Sequence, residues 1–130
     1  MEYRKVLVDT SVIIDYLRKT NKEKSLFWKI INTHDCFIST VTVFELYSGV
    51  KDDKHIEAID KVLSFLEILD FNTHQAKLAS HTFRTLKEKN NLIEFRDIFI
   101  ASCAIYENIP LVTLNTKHFK RIETLVLIDK

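Results

Sequence analysis

Three carboxylates stand in apolar company that gives them no evident structural duty: Asp9 after the run KVLV, Glu45 within TVTVFELYSG, and Asp97 at the head of RDIFIASCAIY. Burying such a group unpaired is costly, so each needs a cation, a cap position or chemistry to account for it. Each has an ordinary account. Asp9 falls where an N-cap belongs, Glu45 suits an ion pair with a distant Lys or Arg, and Asp97 is favoured by the dipole at a helix start. Taken together, with no His/Cys ligand cluster beside them, they make a hard-oxygen site, the donor chemistry that selects Mg²⁺ or Mn²⁺ over zinc.

The neighbours of these acids sharpen the question. At helical spacing Glu94 lies three residues before Asp97, and two acids on one side of a helix repel unless something positive or water intervenes; a cation would remove the conflict. Ala101, four residues on, leaves space beside the Asp97 carboxylate. Glu45 shares a narrow polar stripe with Thr42, Ser48 and Gly49 on an otherwise apolar helix. Near the C-terminus, LVTLNTKHFKRI offers Thr113, Asn115 and His118 as candidates for the same edge, with Lys117, Lys120 and Arg121 as a small basic cluster beyond. The ordinary roles are a solvated helix face for those cations and a surface or capping role for His118.

The elements that must position these groups follow from periodicity. Short β-rich runs occur at KVLV, CFIS, LEIL, LVTL and LVLI, separated mostly by longer segments with helical spacing. This alternation predicts a parallel sheet covered by helices on both faces, since each parallel crossover needs a connection of that length. Ligands of open parallel sheets bind beyond the C-terminal strand ends, where Asp9 falls.

Thr10 or Ser11 is expected to cap the first helix, which frees Asp9 from that duty and leaves Asp15 on the polar side. A second helix is expected from about Asn21 to Thr33, with Leu26, Phe27, Trp28, Ile30 and Ile31 forming an arc wider than one core stripe. That arc is either a well-buried helix or an exposed apolar patch for a protein partner. A third helix, capped by Ser39 or Thr40, stops at the single glycine, Gly49, which can take the left-handed conformation there. Further helices are expected after Asp52 or Asp53, from Thr73 to Lys89, and from Ile93 to Glu107, with Pro110 ending the last and introducing a strand.

The 130 residues fit a single domain, 1–130, and 46% hydrophobic with 28% charged residues is the composition of a folded globular chain. A net charge of +1 neither demands nor excludes a polyanionic partner, so any such site must be local. Cys36 and Cys103 belong to no metal or redox motif and are expected to be buried, reduced thiols. The first apolar run is too short for a signal-peptide core and no stretch approaches the ~18 apolar residues of a membrane span, so a cytoplasmic protein with no membrane association is expected.

The segments VLVDTSVIIDYL, FISTVTVFELYSG, FRDIFIASCAI and LVTLNTKHFKRI, in this order, resemble the PIN-domain nucleases, and in particular the VapC toxins of VapBC toxin–antitoxin modules. The resemblance implies a PIN-like three-layer α/β/α fold with a central parallel sheet of about four to five strands. It also implies a metal-dependent endoribonuclease using Mg²⁺ or Mn²⁺. It places Asp9, Glu45 and Asp97 as catalytic metal ligands, with Thr10, Glu94, Thr113, Asn115 and His118 as auxiliary groups. Many relatives carry a further acid at the position of Asn115 or His118; here neither is acidic. Lys117, Lys120 and Arg121 are expected to hold the RNA backbone.

A VapB-like antitoxin is implied as inhibitor, lying in an apolar groove expected at Trp28, Phe27 and Ile31 with the Glu45 helix as its other wall, and a homodimer is expected. The competing expectation is a PIN-like module that binds RNA or protein without cutting. A phosphatase using Asp9 as covalent nucleophile fits less well, since the second acid such enzymes place two residues later is here Ser11.

Overall fold

The computed structural model describes residues 3–128. Its sheet has four parallel strands in the order β3-β2-β1-β4, comprising β1 (Lys5–Val8), β2 (Asp35–Ser39), β3 (Glu67–Leu69) and β4 (Leu111–Val112). Alternation along β1 sends Val6 and Val8 to one face and Leu7 to the other, and all three are fully buried. The sheet thus separates two half-cores. On one face β1 and β2 pack against α1 (Thr10–Arg18), α2 (Leu26–Ile31), α3 (Thr40–Ser48) and α4 (Asp53–Leu63). On the other lie α5 (Thr73–Glu88), α6 (Phe95–Glu107) and α7 (Thr116–Phe119). This is the three-layer α/β/α arrangement expected.

Strand order places the site. The chain steps from β1 to β2 to β3 in one direction and then crosses back to lay β4 on the other side of β1. The reversal opens a crevice at the C-terminal ends of β1 and β4, the position where such sheets bind ligands. The register Val8↔Val112 makes Asp9 and Thr113 the next residues out of the sheet, and the Asp9 amide donates to the Val112 carbonyl at 2.9 Å.

Several boundaries differ from expectation. The segment from Asn21 is not one helix: a 3₁₀ turn at Lys22–Lys24 ends at Ser25, whose hydroxyl accepts from the Trp28 amide and starts α2 afresh. The fifth run, LVLI, makes a single parallel bridge, Leu127 to Leu111, at the outer edge of β4. Gly49 ends α3 at φ −94°, so it is not left-handed; the described non-glycine residues with positive φ are Asn90 and Asn108, the latter capping α6. Asn tolerates that conformation because its short side chain bonds locally. α6 begins at Phe95 rather than Ile93.

Candidate active site

Asp9 occupies the N-cap position of α1, yet its side chain makes no capping bond, and neither Thr10 nor Ser11 supplies one. The expected division of labour is therefore corrected: Thr10 is the first helical residue, and the hydroxyls around it serve the acids instead. Ser11 and Thr113 each donate to Asp9 Oδ2 at 2.7 Å. Those hydroxyls are themselves held, Ser11 Oγ by the Leu114 amide at 3.1 Å and Thr113 Oγ1 by the Asn115 amide at 2.9 Å. Asp9 is only 3% exposed, and among the described residues Oδ1 receives no donor, so a fixed carboxylate keeps one oxygen open.

Glu45 reaches the same crevice from α3. Its Oε1 accepts from the Thr10 hydroxyl at 2.8 Å, and Thr10 lies 2.9 Å from the buried Thr42 hydroxyl. Its Oε2 faces the Arg96 Nε at 3.4 Å. Burial raises the Glu45 carboxyl above the ordinary range; Thr10 and Arg96 act against this, while Asp9 and Glu94 add to it.

Asp97, in the first turn of α6, accepts no hydrogen bond from the described residues and has His118 Nδ1 at 3.9 Å. Burial, then Asp9 and Glu94, push its carboxyl up to about 6, with Arg96 opposing and Glu45 adding. The three predicted acids therefore share one electrostatic site. Glu94, the exposed N-cap of α6, joins it through Arg96, to which it is paired at 2.9 Å.

Other expected residues divide. Thr113 is in the site, and His118 approaches it, whereas Asn115 contributes its backbone amide and no side-chain cap. Lys117 and Lys120 are exposed on and just after α7. Arg121 is half-buried and donates to the Leu92 carbonyl at 2.8 Å, so its guanidinium is committed to the loop before α6. The groove placed on α2 is corrected as well. Phe27 is 2% exposed and packs edge-on against Tyr16 at 5.0 Å, so it belongs to the core. Ile31 leans on the same core and only Trp28 is exposed. An open groove instead runs between α1, α3 and α4, floored by Ile14, Leu17, Leu46 and Ala58, with Glu45 at its border. Arg96 is the site group that the sequence did not single out; Ser11 was expected only as a helix cap and Thr42 only as a neighbour of Glu45, while the pairing of Glu94 with Asp97 and the ion pair expected for Glu45 both signalled a positive group nearby.

Among the described residues no three His, Cys, Asp or Glu side chains converge as a ready-made metal cage. The donor set still fits a hard cation: Asp9 Oδ1 and both Asp97 oxygens have lone pairs that no protein donor uses, and the acids repel one another through Asp97. Glu45 is held back by Thr10 and Arg96.

Residues 6–125 match the PIN domain family. Ribonuclease VapC1 of Methanocaldococcus jannaschii is 34% identical over 122 residues, spanning 94% of this chain and 84% of that protein. Ribonuclease VapC of Rickettsia bellii is 33% identical over 127 residues, 92% of each chain. The solved structure of VapBC2 from Rickettsia felis bound to a DNA fragment from their promoter superposes with a TM-score of 0.82 at 29% identity, covering 95% of this chain and 97% of that one. The chain belongs to the PIN domain family, and its near full-length likeness is to the VapC ribonucleases within it.

Proposed function

We propose that this chain is a VapC-type endoribonuclease: a hydrolase that uses Mg²⁺ or Mn²⁺ to cut RNA phosphodiester bonds and is held inactive by a VapB-like antitoxin. The observation that carries the reading is the set of three acids at the β1/β4 crevice of a VapC-related chain, two with unclaimed oxygens. Asp9, Asp97 and Glu45 would hold the ion. When bound it supplies Lewis-acid polarisation of the scissile phosphate and acidifies water. Ser11 and Thr113 fix the Asp9 carboxylate, and Thr10 sets the rotamer of Glu45. Lys117 and Lys120 give the RNA backbone affinity without sequence readout.

The antitoxin segment is assigned to the groove between α1, α3 and α4, whose apolar floor ends at Glu45 and whose rim carries Arg18, Lys51 and Lys54. A homodimer belongs to the same proposal, and the aromatic face of Phe83, Phe95 and Phe99 on α5 and α6 is the surface offered for it.

The test uses purified protein freed of any partner. RNA cleavage should require Mg²⁺ or Mn²⁺, stop with chelator, and fall by about 100-fold or more in Asp97→Asn, as expected when a group stabilising transition-state charge is lost. Cleavage by Asp97→Asn at the wild-type rate would assign the activity to a contaminant.

A further inference from the structure

Among the described residues one arginine or lysine side chain pairs with the acid cluster, and His118 Nδ1 lies 3.9 Å from Asp97. Arg96 stands in the first turn of α6, directly before Asp97, and spans two acids from different elements: Nε is 3.4 Å from Glu45 Oε2, and a terminal nitrogen is 2.9 Å from Glu94 Oε2. Its side chain is 57% exposed, while that of Glu45 is 14% exposed, so the guanidinium covers a largely buried carboxylate from the solvent side. It is thus the positive group that the Glu94–Asp97 conflict calls for. A pair this exposed is a weak tie, open to exchange.

We propose that Arg96 is an internal counter-ion for the acid cluster, competing with the divalent cation for Glu45, and that cation binding releases its guanidinium to solvent. The inference rests on the metal-dependent reading above. A divalent ion and a guanidinium both seek the Glu45 oxygens, and Thr10 already occupies Oε1, so Oε2 is the contested atom. An arginine is suited to the role because it stays charged at every working pH and its planar fork pairs with two carboxylates at once.

Direct titration of the partner-free protein with Mn²⁺, followed by electron paramagnetic resonance, tests this without reference to cleavage. Arg96→Gln should bind Mn²⁺ about fivefold more tightly than wild type, the scale of one screened ion pair removed. Arg96→Lys should fall between the two. Arg84→Gln, which deletes the same charge from the exposed side of α5, should leave affinity unchanged. In wild-type protein, phenylglyoxal modification of Arg96, read by peptide mass spectrometry, should speed up on adding Mn²⁺. Equal or weaker Mn²⁺ binding by Arg96→Gln, tightening of the same size in Arg84→Gln, or modification that slows or holds constant each overturns the competition while leaving the nuclease reading intact. No Mn²⁺ binding by wild type overturns both.

Discussion

Asp97 is the carboxylate whose proton the site controls. Its carboxyl rises from 3.8 to about 6, first through burial and then through Asp9 and Glu94. A carboxyl raised in the fold binds its proton more tightly folded than unfolded. Its contribution is therefore fully present below the unfolded value and is lost as pH climbs through about 6. A divalent cation replaces the proton as counter-charge, so thermal stabilisation by Mn²⁺ should be larger at about pH 7.5 than at about pH 5, with Asp97→Asn removing the difference. Equal shifts at both pH values in scanning fluorimetry would contradict this. At this scale the acids were legible because each stood out on an apolar element. Arg96 was not, and Ser11 and Thr42 were legible only as a cap candidate and a stripe neighbour, because hydroxyls and arginines are ordinary on helix surfaces and only the three-dimensional approach of α1, α3 and α6 gives them duties at the acids.

Helix starts decide which acids face the crevice. Ser39 caps α3, which carries Glu45, and Asn72 caps α5 by accepting from the Gln75 amide at 2.9 Å. α5 bears no site residue, so Asn72→Ala should lower stability by about 1 kcal/mol in denaturant unfolding and leave Mn²⁺ affinity unchanged. A changed affinity would mean that α5 shapes the site through α6, against which it packs. Element types were largely readable from periodicity, and the caps of α3 and α4 were narrowed to Ser39 or Thr40 and to Asp52 or Asp53, of which the fold uses Ser39 and Asp52. The failures have local causes. Ser25 lies inside an apolar helical pattern, yet its side chain caps a new helix and splits the segment. The glycine that suggested a left-handed end is not left-handed, and asparagine takes that conformation after α5 and α6 instead.

Across the molecule, the parallel three-layer plan followed from alternating strands and helices, whereas the side of β1 on which β4 lies did not, because a crossover of given length reaches either side. No described helix is long and apolar enough to cross a membrane. The two buried thiols have a use at this scale. Cys36 belongs to the half-core under α1 to α4, and Cys103 to the half-core under α5 to α7. Burial above all pushes both thiols up to about 12, so scarcely any reactive thiolate exists in the folded chain near neutrality. Each cysteine is in effect a timer, started only when its own layer opens to a labelling reagent. If the layers separate from the sheet together, both cysteines should be alkylated at one common rate that tracks global unfolding; Cys103 reacting well ahead of Cys36 would show that the layer carrying Asp97 breathes on its own.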